Sequence, residues 1–152
     1  SDLVRRVAKG LRVDYVIYDD YKEPDYVGAI EYLAAQLKED EVDAVIEFHF
    51  NSATPTATGH EWLYWHASKG GSELAYALKK EMEETYPDMK SRGAKPRASR
   101  QRGSYFLKKT PCVAVIGEPF FGSNCEEWQM INNNRGKLAG VYARAINKYA
   151  DG

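Results

Sequence analysis

The sequence predicts one α/β domain, in which helices flank a mostly parallel central sheet. Along the chain, apolar stripes at helical spacing alternate with short β-branched and aromatic runs. This order is typical of layered α/β folds with parallel strands. The chain has 152 residues, of which 43% are hydrophobic, enough for one core and too few for two ordinary domains. We therefore treat residues 1–152 as a single domain.

The first part of the chain is predicted to form a helix, a strand and a second helix. An apolar stripe over residues 3–11 predicts a helix that is already in progress at the first residue. The β-branched and aromatic run Val13–Tyr18 predicts a short buried strand. A polar turn at Asp19–Glu23 follows, and Pro24 suits the first turn of the helix predicted by the stripe over residues 26–37.

The stretch Val42–Ser52 predicts a strand with two different faces. Alternation directs four apolar side chains toward the core, Ala44, Ile46, Phe48 and Phe50. The opposite face carries Val45, Glu47, His49 and Asn51. Its polar end lies near the carboxyl end of the strand, where open α/β sheets hold their sites. On this pattern alone, His49 belongs either to a functional site or to a strand that runs into solvent.

The remaining elements continue the alternation, without repeats or low-complexity segments. They are a loop over Asn51–Gly59, a strand over His60–His66, a helix capped by Ser72 and striped to Met82, a basic loop over Met89–Gly103, short strands over Tyr105–Leu107 and Val113–Ile116, and helices over Glu126–Ile131 and residues 138–146. His60 and His66 share a face with the aromatic side chains of their strand, which favours structural histidines over metal ligands.

Glu118 is the second candidate site residue. It follows the apolar run Val113–Ile116 and precedes Pro119, so it lies at the carboxyl end of a predicted strand. If this strand neighbours Val42–Ser52, Glu118 and His49 meet at the same edge of the sheet. The alternative is a loop or helix-capping carboxylate.

Four motifs together resemble a known family. In chain order they are IEFHFNS, GHEWLYW, RGAK and YFLKKTPCVAVIGEPFFGSNCEEW. They resemble the zinc-dependent N-acetylmuramoyl-L-alanine amidases, especially the catalytic domains of phage endolysins, over residues 3–149. The resemblance implies a cell-wall hydrolase that uses a zinc-activated water to cleave the amide bond between N-acetylmuramic acid and the L-alanine of peptidoglycan. It also implies that His49 is a ligand of Zn²⁺ and that Glu118 is the catalytic carboxylate.

The sequence departs from this family at its beginning. The family binds zinc through two histidines and a glutamate, and the first strand of its fold, with the first histidine and the glutamate, has no counterpart here. Since catalytic zinc needs three protein ligands, we expect an amidase-like domain that is incomplete at its N-terminus. The alternative is a metal-free, non-catalytic module on the same fold that binds peptidoglycan or peptides.

Two polar neighbours of His49 are assigned supporting roles. Glu47 is expected to orient the imidazole of His49 rather than to bind the metal itself. Asn51 is expected either to contact the substrate or to serve as a turn residue. Both share the strand face of His49.

The charge of the chain limits the classes of binding partner that we expect. With 21 Lys+Arg against 22 Asp+Glu, the formal net charge is -1, so nothing global favours nucleic acid or an anionic membrane. Residues 90–109 carry eight basic and no acidic side chains, which form either a solvated loop or a surface that attracts wall carboxylates.

The cysteines and the hydropathy of the chain bear on its location. Cys112 and Cys125 lack metal-type spacing and suit a reducing compartment. No apolar run approaches the roughly 20 residues of a membrane span, and no signal peptide is visible. We expect a monomer that is made in the bacterial cytoplasm and acts on peptidoglycan in the cell wall, without nucleic acid or membrane partners.

Overall fold

The computed structural model describes residues 2–19 and 25–152 and shows a four-stranded sheet flanked by helices. The strands are β1 (Ala44–Phe48), β2 (His60–Trp65), β3 (Ser91–Arg97) and β4 (Val113–Glu118). The helices are α1 (Asp2–Lys9), α2 (Tyr26–Glu39), α3 (Lys69–Thr85), α4 (Ser104–Lys109), α5 (Cys125–Asn133) and α6 (Arg135–Ala150). The strand order is β1-β4-β2-β3. The β1–β4 and β2–β3 pairs are parallel and the β2–β4 pair is antiparallel, which confirms the predicted mostly parallel α/β sheet.

The sheet separates two apolar cores. Trp62 and Val115 belong to the core that α1, α3 and α6 cover, whereas Leu63 and Ile116 belong to the core beneath α2 and α4. Successive residues of β2 and β4 therefore point into opposite cores. Because both faces are covered, these strands consist of nearly continuous apolar runs rather than an apolar–polar alternation.

The predicted strand over Val13–Tyr18 is wrong. No strand forms in this described segment, and Tyr15 and Val16 are 55% and 57% exposed. β1 is an edge strand of the sheet, and this segment does not pair with its free edge. A β-branched run becomes a strand only beside a hydrogen-bonding neighbour. The predicted turn at Asp19–Glu23, apart from Asp19 itself, and the predicted helical position of Pro24 lie outside the described residues.

Two further predictions are wrong in the basic part of the chain. The predicted loop over Met89–Gly103 contains β3, an edge strand that pairs in parallel with β2. The predicted strand over Tyr105–Leu107 lies within α4, which starts after Gly103 turns the chain with a φ of 84°. The second error concerns a short segment, for which apolar periodicity does not separate a buried helix from a strand. The first arose because β3 carries Gly93, Pro96 and basic residues, a composition typical of a loop that an edge strand tolerates.

The strand predicted over Val42–Ser52 is shorter than expected. It ends at Phe48, and Phe50 is 45% exposed rather than part of the core. The chain nevertheless continues along β4, because the His49 N–H donates to the Gly117 carbonyl at 3.0 Å. His49 is therefore held in place by backbone hydrogen bonding although it lies just beyond the strand.

The predicted helices match their stripes, and side chains cap the N-termini of α2, α3, α5 and α6. The N-cap of α3 is Ser68 rather than the predicted Ser72, and its hydroxyl accepts from the Gly71 N–H at 2.9 Å. Asp25 caps α2 in the same way through the Gly28 N–H at 2.6 Å. Within the described ranges, no helix is long and apolar enough to cross a membrane.

Candidate functional site

The ends of β1 and β4 bring His49 and Glu118 into contact. Phe48 lies opposite Gly117 in the parallel β1–β4 pair, so the next residue on each strand is at the same edge of the sheet. The Nδ1 atom of His49 lies 3.1 Å from Oε2 of Glu118. The Glu118 side chain is fully buried, whereas 50% of the His49 side chain is exposed. The structure thus joins an accessible imidazole to a buried carboxylate.

Arg102 covers the same carboxylate from the loop before α4. Its Nη1 donates to Oε2 of Glu118 at 2.9 Å, and its Nη2 donates to Oε1 at 2.8 Å. The Nη2 group also donates to Oε1 of Glu61 at 3.1 Å. The hydrogen bond to Glu118 is the main reason why the pKa of Arg102 is raised. Arg102 therefore stays a cation that links two carboxylates.

Glu61 is a second buried carboxylate, directly opposite Glu118 in the antiparallel β2–β4 pair. Its Oε2 accepts from Lys95 Nζ at 2.7 Å, and Arg92 Nε lies 3.5 Å from the same oxygen. Burial by itself raises the pKa of Glu61. The hydrogen bond from Lys95 and the positive charges of Arg92 and Arg102 nevertheless lower it overall. Glu61 is therefore an anion at neutral pH, surrounded by three cations.

The two residues that were assigned supporting roles make different contacts. The Nδ2 group of Asn51 donates to Oε1 of Glu61 at 2.9 Å, so its amide contacts a protein carboxylate in this structure. Burial raises the pKa of Glu47, and smaller effects of His49 and Glu118 oppose each other. No hydrogen bond joins Glu47 to His49 among the described side chains. The substrate contact of Asn51 and the orienting role of Glu47 stay predictions.

Sequence reasoning missed Arg102 and Glu61 as members of the site. From the sequence, the basic stretch over residues 90–109 indicates only a solvated loop or a surface that attracts wall carboxylates. In the structure, Arg92, Lys95 and Arg102 instead form ion pairs with Glu61. A signal was present in the strand HEWLYW, because an acidic residue within an apolar strand needs cationic partners when it is buried. The sequence did not say which cations these would be.

His60 has the structural role that its strand position predicted. It is fully buried, and its Nδ1 accepts from Trp62 Nε1 at 3.0 Å. Burial lowers the pKa of His60 to about 4, so the imidazole is neutral at physiological pH. Its Nε2 has no hydrogen-bond partner among the described residues.

Glu127 fixes the two loops that flank the site. Its carboxylate, buried at the start of α5, accepts hydrogen bonds from the Thr58 hydroxyl and the Gly59 N–H just before β2. The other oxygen accepts from the Phe121 N–H, just after β4, at 2.9 Å. One side chain thus ties the entrance of the Glu61 strand to the exit of the Glu118 strand.

Replacing Glu127 with alanine is expected to lower the free energy of unfolding by about 3 kcal/mol, because buried N–H groups lose their acceptor. Urea unfolding followed by circular dichroism measures this change. Glu126→Ala is the matched control, since Glu126 is the exposed neighbour on the same helix turn. Equal midpoints for the Glu127→Ala variant and the unmodified protein would show that the loops do not depend on this carboxylate.

His49 is the side chain at this edge best suited to bind a metal. Half of it is exposed, and its Nε2 makes no hydrogen bond to any described residue, so this atom is open for coordination. In the described part of the chain, however, no group of three or more His, Cys, Asp or Glu side chains could hold a metal ion. The site residues shown here therefore do not complete a ligand set.

A family model described as N-acetylmuramoyl-L-alanine amidase matches residues 2–148. Comparison with curated protein sequences gives no match.

Several solved amidase structures share the fold. The amidase AmiC2 of Nostoc punctiforme is 22% identical with a TM-score of 0.79, covering 99% of this chain and 81% of that one. The amidase CwlV catalytic domain from Bacillus (Paenibacillus) polymyxa var. colistinus is 17% identical with a TM-score of 0.78, covering 99% and 82%. The catalytic domain of the CD27L endolysin, which targets Clostridia Difficile, is 23% identical with a TM-score of 0.76, covering 95% and 79%. At these identities the likeness shows the fold.

Proposed function

The chain belongs to the N-acetylmuramoyl-L-alanine amidase family, and we propose that it hydrolyses the bond between the lactyl group of N-acetylmuramic acid and L-alanine in peptidoglycan. Glu118 transfers the proton, and His49 is one ligand of a catalytic zinc ion. The observation that carries this proposal is the contact of 3.1 Å between His49 and Glu118, which are 69 residues apart in sequence. An imidazole and a buried carboxylate at the carboxyl edge of a sheet suit a hydrolytic site.

The described residues fit zinc only in part. His49 offers one open imidazole nitrogen, and catalytic zinc needs three protein ligands and a free position. Among the described residues, no group of three donors supplies the rest of a ligand set. When bound, zinc polarises the scissile carbonyl and lowers the pKa of its water.

The role of Glu118 follows from the chemistry of amide hydrolysis. Water is a weak nucleophile and the amine is a poor leaving group, so a proton must leave the first and reach the second. Glu118 accepts the proton of the attacking water and donates it to the departing nitrogen of L-alanine. A carboxylate has about four acceptor positions. His49 and Arg102 occupy three of them in this structure, which leaves one on Oε1.

Access to Glu118 depends on the side chains that cover it. His49 is held by one contact of 3.1 Å and is half exposed. Arg102 is held by three hydrogen bonds of 2.8 to 3.1 Å to two carboxylates. Charge-assisted, bidentate bonds are the stronger ones. The imidazole is therefore the more weakly held of the two side chains that cover Glu118.

The biological setting belongs to the same proposal. The fold similarity to an N-acetylmuramoyl-L-alanine amidase and to an endolysin catalytic domain supports an endolysin-like hydrolase that acts on the cell wall. In this proposal residues 1–152 belong to one amidase-like catalytic domain that works as a monomer on muramyl peptide. It is synthesised in the bacterial cytoplasm and binds neither nucleic acid nor membranes.

Cleavage of a defined muramyl peptide tests the proposal. The full natural chain containing residues 1–152 is incubated with zinc and N-acetylmuramoyl-L-alanyl-D-isoglutamine, and the products are separated by mass spectrometry. We expect free N-acetylmuramic acid and a dipeptide with a new amino terminus. Intact substrate in the presence of the zinc-loaded protein would contradict the proposal. Binding without cleavage would favour the non-catalytic, peptidoglycan-binding module.

A further inference from the structure

We propose that Arg102 is a positioning residue for Glu118 and that Glu61 anchors Arg102 in this role. The proposal rests on the proposed function, because it assumes that Glu118 transfers the proton. Its starting observation is that one guanidinium bridges the buried carboxylates of two adjacent strands. The family motifs found in the sequence did not include Arg102.

Two parallel hydrogen bonds from Arg102 hold the Glu118 carboxylate. Its side chain has no exposed surface, and a buried carboxylate is costly unless it is paired and hydrogen-bonded. Arg102 supplies two parallel N–H donors, one to each oxygen, at 2.9 and 2.8 Å. Such a planar, bidentate pair fixes the plane of the carboxylate as well as its position. The single contact from His49 does not fix that plane.

Arg102 is in turn held by Glu61. It lies on a loop, and 52% of its side chain is exposed, so the loop alone does not restrain the guanidinium. Glu61 provides the restraint, because its Oε1 accepts from Nη2 at 3.1 Å. The other oxygen of Glu61 is occupied by Lys95 at 2.7 Å. Since Glu61 and Glu118 are register partners, the space between their carboxylates is set by the sheet.

The hydrogen bonds of Arg102 favour a positioning role over substrate binding. Three N–H donors of Arg102 are bound to protein carboxylates, and two negative charges surround its single positive charge. An anionic group of the substrate would have to compete with both buried carboxylates for the guanidinium. Arg102 is therefore placed to orient Glu118 rather than to attract the stem peptide.

Arg102→Ala in the full natural chain tests this assignment. We expect kcat on muramyl peptide to fall by about 10–100-fold, because small misplacement of a reacting group has effects of this size, while KM changes by less than about twofold. Arg100→Ala is the matched control, since it removes an exposed arginine from the same loop, and we expect it to leave both constants unchanged. Thermal unfolding of both variants checks that the fold is intact.

A double-mutant comparison distinguishes a role through Glu118 from any other. In a Glu118→Gln background, Arg102→Ala is expected to change the residual rate by less than about twofold, because the group that it positions is already disabled. The same fold-change in both backgrounds would overturn the proposal. A raised KM with unchanged kcat would instead make Arg102 a substrate contact, and a raised kcat would make it an inhibitory cover.

The orientation of the carboxylate gives a readout that does not need activity. In a crystal structure of Arg102→Ala, we expect the Glu118 carboxylate to be rotated from its orientation in the unmodified protein. An unchanged orientation would overturn the positioning role even if the protein were inactive. An inactive unmodified protein together with a rotated carboxylate would contradict the proposed hydrolytic function alone.

Discussion

Replacement of Glu118 with glutamine is expected to lower kcat by about 10²–10⁴-fold, the range that one general acid–base group contributes. Glutamine keeps the shape of the side chain, but its amide cannot take a proton from water and return it to a leaving amine. Zinc content is expected to stay at the level of the unmodified protein, because Glu118 is not a proposed ligand and the carbonyl oxygen of glutamine can still accept the hydrogen bond from Nδ1 of His49. The rate of amino-group release from peptidoglycan and elemental analysis of the protein measure the two effects.

The controls for this variant test whether replacing the buried Glu118 side chain disturbs the fold. Glu118 is fully buried against Arg102, so near-ultraviolet circular dichroism is needed to show that the glutamine variant keeps its tertiary packing. Glu126→Gln makes the same chemical change at an exposed position and is expected to retain full activity. Undiminished wall lysis by a folded Glu118→Gln protein would remove Glu118 from the mechanism.

Replacement of His49 with alanine is expected to remove both zinc and activity. Loss of an outer partner of a metal ligand costs roughly 10–100-fold in metal affinity, and loss of a ligand itself costs more. The fold is expected to persist, because half of the His49 side chain is exposed. Its main side-chain contact is the one between its Nδ1 atom and Oε2 of Glu118, at 3.1 Å. Zinc per protein molecule, measured by elemental analysis of the full natural chain, checks this result.

His66→Ala is the matched control for the loss of an imidazole. His66 is exposed at the end of β2. The zinc content and activity of the His66→Ala protein are expected to match those of the unmodified protein. An unchanged zinc stoichiometry in His49→Ala would count against ligation by His49. It would also remove the main support for a metal at this edge of the sheet.

The meeting of His49 and Glu118 at one edge of the sheet could be predicted from the sequence, because it follows from local patterns. His49 and Glu118 each come directly after an apolar run, and parallel neighbours end at the same edge. The pairing of β1 with β4 was the one long-range assumption, and the structure contains that pair. The polar residues at the ends of these two strands could thus be identified from the sequence alone.

The partners of the buried carboxylates could not be predicted in this way. Glu61 and Glu118 face each other because β2 runs antiparallel to β4 in a particular register, and a shift by one residue would send one of them to the other core. Arg102 reaches both from a loop that leads into α4, a segment that was predicted as a strand. The strand predicted over Val13–Tyr18 failed for a related reason, since strand formation depends on a neighbour that the segment itself does not encode.

Analysis of the ends released from intact peptidoglycan tests the central claim most directly. Peptidoglycan is digested with the zinc-loaded full natural chain, and the new amino termini and new reducing sugar ends are both labelled and identified. We predict new amino-terminal alanine in proportion to time, no increase in reducing ends, and no release by the Glu118→Gln protein. New termini other than alanine, new reducing ends, or equal release by Glu118→Gln would contradict an amidase in which Glu118 transfers the proton.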